Sequence, residues 1–446
     1  MAMDRDELNK RRRDRELARK KRQQTQRRLY IRLAIAALVL IACGVGIFRL
    51  TQSAGIAPPV EEVLSTTVVE TEATEAPTEE PTEGRAVWEQ APVTINLVAG
   101  GDLNVTDKVV WSGQLSGEYN YTKTFMDVAP ILSEADLAVL NFEGNVCGMP
   151  FGSATMSAPV EMIQALKAAG VDLLQMANSC SIRNGLIGLT TSLNNIRSAG
   201  IEPLGAFSSS AEFQKSKGYT IVTVSDIKIA FVAFTKGVGS LGMPAGSEDC
   251  VNLLYEDYST DYKKVDTERI DRVLRNVAEE QPDLTIAMVH WGSEYNDEIS
   301  ASQDKIRKQL QAGGVDIILG THPHLVQRVD YDSINKTLVA WSLGDFFGDA
   351  VMAGTNYSVI LDMEVTRDNA TGEVFLSNWE YIPIFTLKPE QSVIGGHRVV
   401  RIREAMERYE AEFVGRITED TYGDMQYALK RIEERVNPKK DEQKQE

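Results

Sequence analysis

Residue types that bind metal ions follow four apolar segments of this sequence, each at the point where the segment ends. Asp102 and Glu143 come after two of these segments, and His290, His322 and His324 come after the other two. Three of the four histidines of the chain therefore fall in such positions. Carboxylate oxygens combined with imidazole nitrogens suit Mn, Zn or Fe, and carboxylates that bridge two ions are typical of metal-assisted phosphoester hydrolysis. The pattern predicts a centre for one or two divalent ions.

Strand-like and helical segments alternate along the part of the chain that carries these residues. Strands are predicted at 95–99, 137–140, 173–176, 219–224, 227–234, 284–289, 317–319, 337–341 and 357–365. Helices are predicted at 159–169, 188–199, 267–280 and 302–312. This alternation indicates an α/β domain with a mixed sheet. In such domains chemistry usually sits on loops at the carboxyl ends of the strands, so we expect the ligand-type residues to meet there.

Further polar and aromatic residues near these strand ends are candidates for substrate contact. They are Asn104, Asn141, Asn178, Trp291 and Glu294. Trp291 is also expected to pack beside the site, because an indole ring prefers an apolar environment on most of its surface. Asp345 follows a later apolar run, and we expect it to be a turn residue instead of a ligand.

Short motifs that contain these residues occur in a fixed order between residues 93 and 383. They are Gly101-Asp102, Asn141-Phe142-Glu143, Ala177-Asn178 with Gly185 and Gly188, Gly200-Ile201, Gly205-Ala206, His290-Trp291-Gly292-Ser293-Glu294-Tyr295, Gly320-Thr321-His322-Pro323-His324, Ser342-Leu343-Gly344-Asp345-Phe346 and Tyr381-Ile382-Pro383. With these motifs the chain resembles the bacterial CapA family of capsule-synthesis or poly-γ-glutamate-synthesis proteins. The resemblance implies a calcineurin-like metallophosphatase fold, a four-layer αββα sandwich. It also implies that Asp102, Glu143, His290, His322 and His324 are metal ligands.

The sequence departs from the family pattern at residues 177–183. The family has Ala-Asn-Asn-His and then an Asp three residues later, whereas this chain has Ser179, Cys180 and Arg183 at the last three of those positions. A hydroxyl is a poorer ligand than an amide carbonyl, and a thiol cannot replace a cationic imidazole. Arg183 adds a fixed positive charge, which opposes a second cation and favours an anion. His290, Cys180 and Arg183 are the candidate catalytic groups, and both cleavage and binding alone stay open.

The first 92 residues differ in composition from the rest of the chain. Residues 1–29 carry 12 Lys/Arg, residues 33–48 carry no charge, and residues 51–92 carry 9 Glu against a single Arg. We expect residues 1–29 to be a basic cytoplasmic tail, residues 30–50 a transmembrane anchor, and residues 51–92 a disordered Thr/Glu/Pro stalk. A lipid on Cys43 and a cleaved signal peptide are the alternatives.

The remaining residues are expected to lie outside the cell, because basic flanks keep the N-terminus in the cytoplasm. Residues 93–400 are expected to form the CapA-like domain, and residues 401–446 a charged helical tail that is mainly solvated. Residues 93–446 hold 32 Lys/Arg against 50 Asp/Glu, which argues against nucleic acid as a partner. The anchored layout is similar to that of the family's Gram-positive members, so we expect a single-pass membrane protein of such a bacterium.

Two smaller expectations concern cysteine and histidine. Four cysteines are too few for a disulfide-built scaffold, although one pair among Cys147, Cys180 and Cys250 is possible. Cys147 and Cys250 are expected to be free or structurally paired, not reactive. His397 lies beyond the matching motifs and next to two glycines, so we expect it to be a loop residue.

Three functions fit the sequence. In the first, which the resemblance implies, the chain acts in the synthesis or export of a capsule or poly-γ-glutamate-type polymer, with the anionic polymer or the synthesis machinery as partner. In the second, it is a metal-dependent hydrolase of a phosphoester or a γ-glutamyl amide. In the third, it is a non-catalytic polymer-binding module with a degenerate metal site.

Overall fold

The computed structural model describes residues 91–115, 117–239, 241–392, 395–410 and 417–436. These residues belong to one structural unit, Pro81–Glu446. The predicted cytoplasmic tail and anchor, and all but the last two residues of the predicted stalk, lie outside the described residues. Within the described ranges, none of the helices is both long enough and apolar enough to cross a membrane.

The strands include every strand predicted from the sequence. They are β1 (Val93–Asn104), β2 (Gln114–Leu115), β3 (Glu118–Tyr119), β4 (Leu137–Glu143), β5 (Leu173–Gln175), β6 (Glu202–Leu204), β7 (Tyr219–Val224), β8 (Ile227–Thr235), β9 (Leu284–His290), β10 (Ile317–Thr321), β11 (Val329–Asp332), β12 (Thr337–Ala340), β13 (Asp345–Phe347), β14 (Tyr357–Arg367), β15 (Val374–Leu387) and β16 (Arg398–Arg401). The fully buried strands among them, such as β4 and β9, are the continuous apolar runs that the sequence makes most visible.

The helices also include all four that the sequence predicts. They are α1 (Asp107–Ser112), α2 (Ala129–Glu134), α3 (Val160–Ala168), α4 (Gly185–Ser198), α5 (Ser210–Ser216), α6 (Thr267–Glu279), α7 (Ala301–Ala312), α8 (Ile402–Glu410) and α9 (Glu419–Val436). Side-chain caps fix several of the starts. Asp266 accepts a hydrogen bond from the backbone of Arg269, and Ser300 and Gln303 form a reciprocal capping box.

The described strands form two mixed sheets and a small hairpin. The first sheet has the order β16-β15-β14-β1-β4-β5-β6, with β13 beside β1, and the second has the order β11-β12-β10-β9-β8-β7. Parallel strands form the middle of the second sheet, with an antiparallel strand at each edge. In the first sheet, β1, β4, β5 and β6 are parallel, and antiparallel strands lie beyond β1. The predicted α/β class with mixed sheets is confirmed. Because parallel strands end at the same edge, β1 and β4 end together, and so do β8, β9 and β10.

Alternate residues of the second sheet face two different cores. In β8, Ile229 and Phe231 join the large core that contains the first sheet, whereas Ala230 and Val232 join a separate cluster with α6 and α7. Because successive side chains of a strand point to opposite faces, the two sheets face each other and α6 and α7 cover the outer side of the second sheet. Helices α3 and α4 contribute to the core of the first sheet. These contacts agree with the αββα order that the resemblance implies.

The charged C-terminal stretch packs onto the first sheet. Helix α9 buries Met425, Ala428 and Ile432, and it contacts β14 and β15. These three residues recur at helical spacing and give the helix one apolar face. The prediction that residues 401–436 form a solvated helix is therefore wrong for the described part of this stretch. The charged residues that suggested it occupy the opposite face of each helix.

A buried ion pair ties this stretch to the rest of the domain. Asp127 is buried and accepts hydrogen bonds from Arg398 (2.9 Å) and Arg408 (3.0 Å). His397 lies in the loop before β16, as expected, and its ring packs edge-on against Phe347. The region after residue 395 is thus part of the folded domain, as far as the structure describes it.

Candidate metal centre

Strand register brings the ligand-type residues to one edge of the two facing sheets. Along the parallel pair β1 and β4, Asp102 lies opposite Asn141, and Glu143 ends β4 two residues later. In the second sheet β9 and β10 also end together, with His290 opposite Thr321. The parallel order of these strands therefore delivers the predicted ligands to a common place, which is buried between the sheets.

A glycine allows the segment after β12 to approach β1. A Cβ atom on Gly101 would lie 1.8 Å from the carbonyl oxygen of Gly344, so any side chain there would push the two segments apart. The backbone N–H of Asp102 donates to the same oxygen at 2.9 Å. Asp345 then pairs with Asp102 through the short parallel strand β13. Gly101 thus gives Asp345 its place beside the predicted ligands.

Asp102 is fully buried and held by two donors. Asn141 Nδ2 donates to its Oδ1 at 2.5 Å, and the backbone N–H of His322 donates to its Oδ2 at 3.0 Å. Asn141 is itself fixed by Asn178, whose Nδ2 donates to Asn141 Oδ1 at 3.1 Å. Burial, and then the neighbouring Glu143 carboxylate, raise the pKa of Asp102 to about 8. A cation close by would stabilise the ionised carboxylate at neutral pH.

Glu143 contacts His290, and Thr235 fixes the orientation of that histidine. The Thr235 hydroxyl donates to the carbonyl oxygen of Gly237 at 2.8 Å, so its oxygen accepts from His290 Nδ1, 3.1 Å away. His290 Nε2 faces Glu143 Oε1 and forms a hydrogen bond with it. An oxygen partner on the second ring nitrogen is the usual support of a metal-binding histidine. Burial raises the pKa of Glu143, but the charge of His290 and its hydrogen bond outweigh burial and lower it.

His322 is a buried imidazole with an unpartnered nitrogen. Among the described residues, none forms a hydrogen bond with its Nδ1. Burial, followed by the charge of His290, holds the pKa of His322 well below its usual value, so the ring is neutral. Its backbone φ is +92°, and that of His324 is +59°. Both lie in the region that favours glycine, and such strain concentrates at functional sites.

His324 lies at the centre of three carboxylates. Its Nδ1 is 2.8 Å from Asp345 Oδ1 and 3.5 Å from Asp102 Oδ2, and its Nε2 is 3.7 Å from Glu143 Oε2. Burial alone would lower the pKa of His324, but the charges of Asp345, Glu143 and Asp102 hold it well above its usual value. Asn104 Nδ2 donates to Asp345 Oδ1 at 2.9 Å and fixes that carboxylate.

Two groups of donor atoms could each hold an ion. One consists of Glu143, His322 and His324, and the other of Asp102, His324 and Asp345. Within each group, one donor atom from every residue lies within 4.8 Å of the others. The first group is richer in nitrogen, which suits Zn or Fe, and the second is richer in oxygen, which suits Mn. Three buried carboxylates and the unpartnered nitrogen of His322 fit a divalent cation.

A cavity of about 210 Å³ opens above the oxygen-rich group. Its walls are formed by Asn104, Thr106, Met156, Glu294, Tyr295, His324, Asp345, Asp349, Met352 and Thr355. Solvent and small molecules therefore reach the centre past His324 and Asp345. The three carboxylates in these walls make this approach acidic.

The sequence comparisons agree with the residues at this centre. The profile of the family described as bacterial capsule synthesis protein PGA_cap matches residues 96–350, which is more than half of the chain and includes the whole candidate centre. The chain belongs to this family. It is 26% identical over 304 residues to the capsule biosynthesis protein CapA of Bacillus anthracis, which covers 65% of this chain and 68% of that protein. It is 24% identical over 260 residues to the PGA biosynthesis protein CapA of Bacillus subtilis (strain 168), covering 56% and 62%.

Solved structures with related coordinates include two from other bacteria. One is described as a novel phosphatase from Mycoplasma pneumoniae, with 17% identity and a TM-score of 0.41, covering 66% of this chain and 95% of that one. The other is a putative 5′-nucleotidase from Staphylococcus aureus in complex with α-ketoglutarate, with 11% identity and a TM-score of 0.42, covering 65% and 54%. Both TM-scores are below 0.5, so these similarities do not indicate a shared chemistry.

The positions at which this PGA_cap member departs from the family pattern lie beside Glu143. Ser179 Oγ is 3.5 Å from Glu143 Oε1, and Cys180 Sγ is 3.7 Å from Ser179 Oγ. Burial, followed by the charge of Glu143, raises the pKa of Cys180 to about 12, so its side chain is a neutral thiol at physiological pH. Arg183 is exposed and contacts the carbonyl oxygen of Ala154 at 3.5 Å. Of the predicted catalytic residues, His290 and Cys180 are buried, and His290 contacts the carboxylate of Glu143 directly.

The predicted substrate-contact residues separate into two sets. Asn104 and Glu294 line the cavity, as a substrate contact must. Asn141, Asn178 and Trp291 are fully buried and do not line this cavity, so their predicted contact with substrate stays a prediction. The two amides hold Asp102 through hydrogen bonds, and Trp291 stacks on another tryptophan behind the second sheet, with ring centroids 5.4 Å apart. Trp291 lies next to His290 in the chain, but its side chain points to the opposite face.

Asp345 and Thr235 are the residues that sequence reasoning missed. The prediction that Asp345 is a turn residue is wrong, because it begins β13 and its carboxylate enters the centre. A carboxylate at the end of an apolar run was the available signal, the same one that identified Asp102. Thr235 ends β8, and nothing in its type marks it as a partner of His290. Cys147, Cys180 and Cys250 are free thiols.

Proposed function

We propose that this chain acts in the synthesis of a capsule or poly-γ-glutamate-type envelope polymer through a divalent-metal centre at the edge of its two sheets. The family match and the names of the two Bacillus relatives support the biological role. One observation carries the metal centre. The buried ring nitrogen of His322 has no partner among the described residues, and three buried carboxylates surround its neighbour His324.

Each residue of the centre has a defined part in this proposal. The ion or ions would be held by Glu143, His322 and His324 on one side, and by Asp102, His324 and Asp345 on the other. Thr235 accepts from His290 Nδ1, so Nε2 of the neutral ring would be the atom that faces an ion in place of its contact with Glu143. A bound divalent ion would neutralise negative charge and promote ionisation of water at neutral pH.

The substrate of this centre is proposed to be an anionic group of the polymer or of a precursor. Hydrolysis of a phosphoester or of a γ-glutamyl amide is the reaction class that such a centre supports. The missing imidazole at position 180 removes one general acid–base group, which commonly costs a factor of roughly 10²–10⁴ in rate. We therefore propose slow hydrolysis, with the family's missing histidine as the reason.

A non-catalytic polymer-binding module is the second candidate. The observation that favours it is the neutral, buried thiol of Cys180 next to Ser179, which leaves that side of Glu143 without an imidazole. In this case the metal centre would recognise an anion of the polymer without cleaving it. The two candidates differ in whether restoring the family residues creates activity.

We also propose that residues 30–50 anchor the protein in the membrane with residues 93–446 outside the cell. The charge pattern supports this arrangement, because basic residues precede the apolar run and acidic residues follow it. A stalk at 51–92 would let the domain reach polymer at a distance from the bilayer. Protease added to intact cells should then remove the domain and leave the N-terminal tail protected.

A deletion in the host tests the biological role. Loss of the gene should reduce the amount or the retention of the envelope polymer, and the wild-type gene should restore it. An Asp102→Asn, His322→Ala double variant, expressed at the wild-type level, should fail to restore it. Unchanged polymer after deletion would contradict the role, and full rescue by the double variant would contradict the part played by the metal centre.

A further inference from the structure

Lys236 is a basic residue attached directly to the backbone of the candidate centre. It follows Thr235 at the end of β8, and its backbone N–H donates to the carbonyl oxygen of His290 at 2.8 Å. Residues 235 and 236 therefore both contact the same histidine, one through a side chain and one through the main chain. The position of Lys236 is fixed by the strand pair that forms the centre.

The nearest partners of the Lys236 ammonium group are neutral, and Glu294 acts on it only as a more distant charge. Its Nζ donates to the carbonyl oxygen of Gly292 at 2.6 Å and lies 4.6 Å from the centre of the Tyr262 ring. Within the described ranges, no carboxylate oxygen lies within the 4.0 Å of an ion pair with it. The side chain is half-buried, so an anion beside it would be only partly screened by water.

The position of the Lys236 side chain depends on the residues that pack around it. A Cβ atom on Gly237 would lie 2.7 Å from the carbonyl oxygen of Tyr258 and 2.9 Å from Cε1 of Tyr262. The absence of a side chain at Gly237 therefore lets the Tyr262 ring come close enough to support the lysine. Tyr262 also has a φ of +53° and packs edge-on against Tyr255. Such a ring–ammonium contact orients the charge without neutralising it.

The side chain of Lys236 is held next to the centre, because its Nζ donates to the carbonyl oxygen of Gly292, two residues after His290. The walls of the cavity at the centre carry the carboxylates of Glu294, Asp345 and Asp349. In a chain with a net charge of −17, an anionic substrate needs a local cation on its path to the site. Arg183, which the sequence offered for this part, is exposed and contacts a backbone carbonyl instead.

From this placement we infer that Lys236 is the residue that binds the anionic group of the substrate, a carboxylate or a phosphate, on the His290 side of the centre. The inference deepens the proposed function and rests on it. Exchange of the Gly292 carbonyl for a substrate oxyanion would give the ammonium group a charged partner at the same distance. Lys236 thereby selects an anion in a site whose other approach is acidic.

Anion binding to the full-length chain tests the inference. The variants are Lys236→Met, Lys236→Arg and the matched control Lys336→Met, which alters another half-buried lysine that lies over an aromatic ring, Phe375, at 6.0 Å. Inorganic phosphate and glutarate are the probes, measured by calorimetry on Mn-loaded protein at low and high salt. Metal content and thermal unfolding of every variant are measured first.

Lys236→Met should weaken binding of the preferred anion by about tenfold or more and reduce its dependence on salt, because one charged hydrogen bond is lost. Lys236→Arg should retain most of the affinity, and Lys336→Met all of it. Equal affinity in Lys236→Met and wild type, or no binding of either anion by the wild type, would overturn the inference. If the wild type binds no metal, the proposed function is contradicted instead. The phosphate affinities of the wild type and of Lys236→Met, compared without metal, then still test the role of Lys236.

Discussion

The Nδ1 atom of His324 lies 2.8 Å from the Oδ1 atom of Asp345, inside the buried edge where the two sheets meet. Asp345 begins β13, and its carboxylate is buried. It shares the site with Asp102. Burial raises the pKa of Asp345, and the charge of His324 offsets this only in part. The centre thus contains three buried carboxylates, those of Asp102, Glu143 and Asp345.

Replacing Asp345 by asparagine tests whether this carboxylate takes part in metal binding. Asp345→Asn keeps the size of the side chain but removes its charge. We expect metal affinity to fall by about 10–100-fold, because a ligand or the partner of a ligand is lost. Calorimetric titration with Mn²⁺ measures the change. Asp349→Asn, in the wall of the same cavity, is the control, and an equal effect in both variants would mean that only the general charge matters.

The pair Thr235 and His290 leads to a second prediction. Thr235→Val keeps the shape of the side chain but removes the oxygen that accepts from His290 Nδ1. The imidazole then loses its fixed tautomer, and affinity for Zn²⁺ should fall by about 10–100-fold. Competition with a chromophoric chelator measures it. Thr220→Val on the edge strand β7 should bind Zn²⁺ as tightly as the wild type does. If Thr235→Val also had the Zn²⁺ affinity of the wild type, the tautomer of His290 would not matter for metal binding.

The C-terminal helix gives a prediction about stability. Met425 is completely buried between α9 and the first sheet. Met425→Ala should lower the free energy of unfolding by about 2–5 kcal/mol, because it removes apolar contacts and leaves a cavity. Denaturant unfolding followed by circular dichroism measures the loss. Tyr427→Ala, two residues away and 61% exposed, should change it far less. If both substitutions lowered the free energy of unfolding only slightly, the helix would be solvated, as the sequence suggested.

Sequence reasoning succeeded where local pattern and strand order decide the outcome. Continuous apolar runs located β4, β9 and β10. The parallel order of β9 and β10 brings His290 and His322 together, and the facing of the two sheets brings Glu143 to them. It is less informative where the decisive fact is the direction of a side chain. Trp291 follows His290 by one residue and therefore faces the opposite side of the sheet, which loop proximity alone does not reveal.

Two failures have different physical causes. Asp345 depends on a close backbone approach at Gly101, which joins residues more than two hundred positions apart. Its local pattern, a carboxylate after an apolar run, therefore does not show that the side chain enters the centre. The helices after residue 401 are rich in charge, and their narrow apolar face is visible only once the first sheet gives it a partner. In both cases tertiary contacts, not propensity, determine the result.

The altered motif beside Glu143 yields a prediction that separates cleavage from binding. A Ser179→Asn, Cys180→His, Arg183→Asp variant restores the family residues at three positions. If the parent only binds polymer, the Mn-loaded variant should hydrolyse bis(p-nitrophenyl) phosphate while the parent is silent. If the parent is a slow hydrolase, its rate should rise by roughly 10²–10⁴-fold. Cys180→Ser alone should show neither gain, and an inactive triple variant that binds metal normally would contradict both expectations.

Metal stoichiometry is the most direct test of the centre itself. The purified chain is loaded with Mn²⁺ or Zn²⁺, freed of excess ion, and measured by elemental analysis alongside a Glu143→Gln, His322→Ala variant and a chelator-treated sample. We predict at least about one tightly bound ion per chain, a rise in unfolding temperature on loading, and loss of both in the variant, because binding to the folded state stabilises it. Less than one equivalent in the wild type, or equal metal content in the variant, would contradict the account.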